Sequence, residues 1–223
     1  MKRDNTTKRR KVALRLALLR ELQARGVAPA DVVVVETHGG WGTLGRHCYA
    51  DVERGVVFEK DALRAARLAA LRPTWAVYEG DCEAALAAGV GAHVEATLLD
   101  VDPYSDPWPA LRAFFESERP RAPVLAVAVN DGLRQKLRLN AGWHVKSLAM
   151  ATHRYGNSAL YANYLEICKD LLSEAAAASG GAYRLERWRA YYCGHADEMT
   201  HYGAIFVSRR RARRPAKDRT ATA

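Results

Sequence analysis

The sequence is poor in the residue patterns that build metal and redox sites. Its four cysteines, Cys48, Cys82, Cys168 and Cys193, stand far apart and form no Cys-x-x-Cys pair. The spacing of a structural zinc site or a thioredoxin-like motif is therefore missing. The seven histidines include no His-Glu-x-x-His and no closely spaced triad. No metal is expected, and the thiols are expected to be reduced and mostly buried. No apolar run approaches the roughly 20 residues of a membrane span. The apolar stretch near the N-terminus is broken by Arg15 and Arg20, which argues against a signal peptide. A cytoplasmic protein without a membrane partner is expected. There are no internal repeats, and low complexity is confined to an Arg-rich C-terminus and alanines 175–178.

What is present is an uneven charge. The chain has 223 residues and a formal net charge of +9, enough length for one sizeable domain with a buried core. Residues 1–11 and 208–223 together hold 13 of the 34 basic residues and two of the 25 acidic ones; the segment 12–207 carries 21 against 23. The expected organisation is a near-neutral domain over 12–207 between two basic tails. Cationic ends suit a nucleic-acid backbone through counterion release; they also serve simply to keep a chain in solution.

Along the domain, residues 8–25 read as an amphipathic helix with Val12, Leu16, Leu19 and Leu22 on its inner face. Strands are predicted at 31–36, 55–59, 74–79, 93–100 and 123–129. Helices are predicted between them, at 43–52, 61–71, 82–88 and 109–117. The segment 131–157 is read as irregular and polar, 158–178 as one long helix, and 183–192 with 201–208 as a final antiparallel pair. Alternating strands and helices mean βαβ units. The predicted fold is α/β, a Rossmann-like, doubly wound and mostly parallel seven-stranded sheet with a C-terminal antiparallel strand.

The first strand ends in Glu36-Thr37-His38-Gly39-Gly40-Trp41-Gly42-Thr43-Leu44-Gly45. Gly40-x-Gly42-x-x-Gly45 fits a dinucleotide fingerprint, and Glu59 falls 19 residues after Gly40, where an acid meets ribose hydroxyls. The same run fits the S-adenosylmethionine (SAM) pattern of an acid followed by xxxGxG. A pyrophosphate is poorly served by a carboxylate at that strand end, whereas the cationic amino group of SAM is well served, so Glu36 favours SAM over NAD. Asp81 follows the third strand, where SAM enzymes often hold the adenine amine. Thr37, Lys60, Cys82 and Asp100 complete the expected cofactor set. Each acid alone could equally be a helix cap.

The fourth strand ends in Asp100-Val101-Asp102-Pro103-Tyr104-Ser105-Asp106-Pro107. Strand ends of open α/β sheets are where such folds bind ligands. The amine of a nucleobase is a weak nucleophile because its lone pair is delocalised into the ring. Acceptors on its protons, here Asp102 and the Pro103 carbonyl, make the nitrogen more pyramidal and aim the lone pair. Tyr104 would stack on the base. Asp102, Pro103 and Tyr104 are thus the candidate catalytic residues. A metal-binding Asp-x-Asp leaves the glycine run unexplained. A calcium loop lacks its middle glycine and closing glutamate. A plain turn before a helix is compatible with either function.

These residues resemble the amine-methylating motif of class I SAM-dependent methyltransferases. More narrowly, the chain is similar to the tRNA N2,N2-dimethylguanosine methyltransferases, which carry Asp-Pro-Phe-Gly-Ser/Thr-Pro where this chain has Asp102 to Pro107. Asn130-Asp131, the segment His153-Arg154-Tyr155-Gly156-Asn157 and Thr200-His201-Tyr202 match further motifs more loosely. Tyr104 and Ser105 depart from the pattern, and the family's extra C-terminal domain has no counterpart. The resemblance implies SAM-dependent methylation of an exocyclic base amine, most readily guanine N2 in tRNA, with RNA favoured over DNA. An N6-adenine DNA methyltransferase and a non-catalytic RNA-binding accessory subunit are the alternatives. Arg134, Lys136, Arg138, Lys146 and Arg154, interleaved with Trp143 and Tyr155, are the candidate nucleic-acid contacts, or else a solvated loop.

Overall fold

The computed structural model describes residues 8–104, 106–139 (backbone alone at 138–139), 146–180, 182–194 and 197–209. Its strands are β1 (Val33–Glu36), β2 (Arg54–Glu59), β3 (Ala76–Glu79), β4 (Ala96–Val101), β5 (Arg121–Asp131), β6 (Tyr183–Cys193) and β7 (Met199–Ser208). They form one sheet in the order β3-β2-β1-β4-β5-β7-β6. The first five are parallel, and β7 runs antiparallel between β5 and β6. The expected Rossmann-like, doubly wound sheet is therefore present. Valines and leucines fill β1, β2 and β4 on both faces, as a sheet covered on both sides requires.

One face packs against α1 (Lys8–Ala24), α2 (Thr43–Cys48) and α3 (Ala62–Leu71). The other packs against α4 (Cys82–Ala87), α5 (Trp108–Glu116), α8 (Asn157–Ala162) and α9 (Tyr164–Ala178). Between β5 and α8 lie α6 (Leu133–Leu139) and α7 (Ala149–Tyr155).

Three local expectations change. The stripe that α1 buries is Leu14, Leu18 and Leu22, with Arg15, not the row through Val12, Leu16 and Leu19. Leucines and a valine line more than one side of this helix, so periodicity alone does not fix its rotation. Gly203 on β7 does: a Cβ there would meet Leu18 at 2.9 Å and Leu14 at 3.1 Å, so its absence opens the slot these leucines enter. The described part of 131–157 is helical rather than irregular. In α6, Leu133 and Leu137 are buried one turn apart, and Asp131 caps the helix by accepting from the Leu133 amide at 2.8 Å. The expected helix over 158–178 is broken at Asn163, whose φ of −110° and ψ of 28° leave the helical region while its side-chain amide shares the Ala159 carbonyl with its own backbone N–H.

Lys8, Arg9, Arg10 and Lys11, counted above with the basic tail, are the first turn of α1. Ser105, residues 140–145, which include Trp143 and His144, His195, and the segment from 210 onward lie outside the described residues.

Candidate active site at the carboxyl edge of the sheet

β1 ends at a tight turn in which Gly40 has φ +54° and Gly42 +70°, conformations that disfavour any residue with a Cβ. The Gly42 amide closes the turn on the Gly39 carbonyl at 3.0 Å. Glu59, at the end of β2, holds the turn from the side. Its Oε2 accepts from the Gly40 amide at 2.6 Å and its Oε1 from the Asp61 amide at 2.9 Å. Nothing stands within 4 Å of where a Gly40 Cβ would be, so this side of the turn is open to a ligand.

Thr37, His38, Glu59, Lys60, Asp81 and Cys82 line a cleft of about 100 Å³ beside the turn. That is less than the ~300–1,000 Å³ of typical small-molecule pockets, so it is at most the inner part of a cofactor site. Asp81 is also the N-cap of α4, accepting through Oδ1 from the amides of Glu83 (3.0 Å) and Ala84 (3.1 Å). Its Oδ2 lies 3.9 Å from Lys60. His38 shares a hydrogen bond with Thr37 (2.7 Å) and contacts the Cys82 thiol (3.6 Å). Burial lowers the His38 pKa, against the nearby charges of Asp102, Glu59, Asp100 and Asp81. The same histidine thus feels the cleft acids and those at the end of β4. The Cys82 thiol is pushed up to about 12, by burial first and by Asp81 next, so it remains protonated.

Two residues expected among the cofactor contacts are turned elsewhere. Glu36 is 2% exposed and pairs with Arg72 at 2.5 Å. Burial raises its pKa to about 7, against the pull of Arg72. Arg72 reaches it by passing Gly45, where a Cβ would fall on the guanidinium. Asp100 is fully buried. Its Oδ2 accepts from Arg15 Nε and from the Tyr49 hydroxyl, both at 2.6 Å, and its Oδ1 from Arg15 at 2.5 Å. Its carboxylate is consumed in fixing α1 and α2 to the sheet and is not part of a ligand-facing floor.

Asp102, just past β4, does face the edge. Its side chain is 20% exposed, and its Oδ1 accepts from Lys11 Nζ at 2.9 Å and from the Asn130 amide group. Tyr104, two residues on, is 93% exposed. Asp106 then anchors the loop, accepting from the Trp108 amide (3.0 Å) and the Ser147 hydroxyl (2.5 Å). Beyond Asn130 the row continues across β7 and β6: Asn130 opposes His201, and His201 opposes and stacks on Tyr191 with centroids 5.4 Å apart. Below it, Asp131 is fully buried and accepts from the hydroxyls of Tyr164 (2.8 Å) and Tyr202 (3.1 Å). Its pKa is raised to about 7, by burial above all.

Two of the expected nucleic-acid contacts, Arg134 and Arg154, have partners within the protein. Arg134 is sandwiched between Tyr161 and Tyr192 at 4.1 and 4.2 Å and bonds the Asp197 carbonyl. Arg154 pairs with Glu174 at 3.1 Å. Lys146 is exposed and Lys136 half-buried; the Arg138 side chain is outside the described part. Lys11, Arg15, Arg72 and Tyr49 are the residues of this edge that sequence reasoning missed. Among the described residues no cluster of His, Cys, Asp or Glu is placed to hold a metal.

The sheet order, with β7 reversed beside β5, defines the Rossmann-like α/β methyltransferase fold. Among solved structures the chain is similar to Trm1 from Pyrococcus horikoshii in complex with S-adenosyl-L-methionine (TM-score 0.61, 11% identity, 90% of this chain and 56% of that one). It thus spans little more than half of that protein. It is also similar to the plantazolicin methyltransferase BpumL in complex with SAH (0.56, 8%, 93% and 86%). A third is the N-methyltransferase NodS from Bradyrhizobium japonicum (0.50, 14%, 92% and 98%). No protein-family model matches the chain, and no curated protein matches it.

Proposed function

We propose that the protein is a SAM-dependent methyltransferase acting on an exocyclic amine of a nucleobase, with RNA favoured over DNA. The observation that carries this reading is the meeting, at the carboxyl ends of neighbouring parallel strands, of the Glu59–Asp81 cleft beside the Gly40 turn and of Asp102 with the exposed Tyr104. The likeness to Trm1 and to N-methylating NodS supports it.

The residues present fit the cofactor. Gly40 leaves its side of the turn open. Glu59 accepts two backbone amides and still has lone pairs for ribose hydroxyls. Asp81 keeps Oδ2 clear of the helix cap for an adenine amine. When bound, SAM supplies a methyl group activated on a sulfonium. The rest is positioning by the chain. Both hydrogen bonds to Asp102 fall on Oδ1, which leaves Oδ2 to accept from the base amine and orient its lone pair. The Pro103 carbonyl accepts the second N–H, and Tyr104 stacks on the ring. The proton shed by the methylated nitrogen passes to Asp102. A base paired in a duplex would first have to leave the stack.

The test is transfer of a tritiated methyl group from SAM to bulk tRNA, rRNA and DNA, followed by nucleoside analysis. Label in methylguanosine from RNA is expected, and Asp102→Ala should nearly abolish it while leaving SAM affinity within a few-fold. Label in N6-methyladenine from DNA would move the substrate. SAM binding with no label in any pool would make the protein an accessory subunit.

A further inference from the structure

We propose that Lys11 is a latch on Asp102 that the phosphate backbone of a nucleic-acid strand releases. This rests on reading Asp102 as the residue that faces the base.

The argument starts from the match between α1 and β4. Lys11 and Arg15 are one helical turn apart, about 6 Å; Asp102 and Asp100 are two strand residues apart, about 6.7 Å. The helix runs against the strand, so Arg15 meets Asp100 and Lys11 meets Asp102. The two pairs share a geometry and differ in setting. Arg15–Asp100 is fully buried, bidentate and backed by Tyr49. Lys11–Asp102 is a single contact with both side chains 20% exposed. The first fixes the helix. The second can open by swinging one flexible lysine stem while the helix stays in place. A partly exposed pair of this kind has little net stability, so a phosphate can compete for the ammonium.

Two further observations point to a polyanion. Residues 8–11 are all cations at the positive end of the α1 dipole, and no acid stands in that turn. That arrangement disfavours the isolated helix and suits an anionic partner. Next to Asp102, on Asn130 and on His201, which feels the charges of Lys11 and Arg10, buried polar atoms lack a partner among the described residues: both ring nitrogens of His201 and Oδ1 of Asn130. Arg10 lies over the Tyr191 ring that stacks on His201. The surroundings of the latch are therefore polar and not fully satisfied within the described residues.

In the free protein Lys11 neutralises Asp102. A strand whose phosphates draw Lys11 away leaves Asp102 held by Asn130 alone and able to take the amine. Substrates without a backbone, such as free nucleosides, would leave the latch shut.

A double-mutant cycle on oligonucleotide binding without methyl donor tests this apart from catalysis. The probe is a fluorescent single-stranded RNA 12-mer read by anisotropy across salt concentrations. Lys11→Met should reduce the log–log salt slope by roughly 0.7, one phosphate's counterions; Lys11→Arg should restore it. Asp102→Asn frees Lys11 beforehand and should tighten binding at least fivefold, but less than twofold when combined with Lys11→Met. An unchanged slope, or equal gains from Asp102→Asn in both backgrounds, overturns the latch. Lys11→Gln provides a second variant should Lys11→Met fold poorly. A wild-type protein that shows this coupling yet transfers no methyl group refutes the catalytic reading alone.

Discussion

Arg15 and Asp100 form a bidentate ion pair in which neither side chain reaches solvent, joining residues 85 positions apart. The burial that makes the pair costly to form also makes it costly to break from one side. Replacing Arg15 by Met leaves a fully buried carboxylate with only Tyr49 beside it. A loss of about 3–5 kcal/mol is expected in denaturant unfolding. Replacing Asp100 by Asn as well should recover part of that loss, giving a coupling energy well outside the error of the cycle.

Glu59 and Asp81 should separate in cofactor affinity. Among the described residues the Glu59 side chain bonds only the glycine turn and the loop that follows β2. Glu59→Ala is expected to weaken SAM binding at least tenfold by calorimetric titration. Asp81 also caps α4, so Asp81→Ala should weaken SAM binding less and additionally cost about 1 kcal/mol of stability.

Tyr104 leaves 93% of its surface exposed. If it stacks on the base, Tyr104→Ala should lower kcat/KM by roughly 5- to 150-fold, the equivalent of ~1–3 kcal/mol of stacking. Tyr104→Phe should remain near wild type. Equal losses in both would assign the role to the hydroxyl rather than to the ring.

Asp131 sets a pH dependence of stability. Burial raises its pKa from 3.8 to about 7 in the folded state, despite the Leu133 amide and two tyrosine hydroxyls pulling the other way. The folded protein therefore holds this proton more tightly than the unfolded chain. The contribution is complete below about pH 4 and is lost as pH rises through 7. Asp131→Asn, which keeps an acceptor for the tyrosines, should flatten the fall in Tm between pH 4 and 7. An identical slope in the variant would mean that Asp131 is not the group responsible.

The strands are legible because a short β-branched run such as 32–35 fits a buried, pleated strand better than a helix. The sheet's chirality and the glycine turn then placed Glu59, Asp81 and Asp102 at one edge. What could not be read was which partner each charge would take. Glu36 looked like a cofactor acid but is paired with Arg72, and only the missing side chain of Gly45 lets that arginine through. Arg134 looked like a phosphate contact but is held between two tyrosines drawn from distant elements. The rotation of α1 hung on Gly203, some 190 residues further along. The available signal for Lys11 and Arg15 was their helical spacing against the strand spacing of Asp100 and Asp102. That match has meaning only once the helix is known to run against that strand.

The reversal of β7 sets Arg209 and Lys11 at opposite edges of the sheet. Lys11 stands at the carboxyl edge of the sheet beside Asp102, whereas β7 carries the chain from Thr200, opposite Asp131, down to Val207, opposite Val124. Arg209, bonded to the Ala182 carbonyl, therefore lies at the amino edge. Ten strand residues span about 30 Å. A nucleic-acid stem shorter than that could touch Arg209 or Lys11, but not both at once. Trimming a substrate hairpin should thus weaken binding in one abrupt step near that length, and gradually on either side of it.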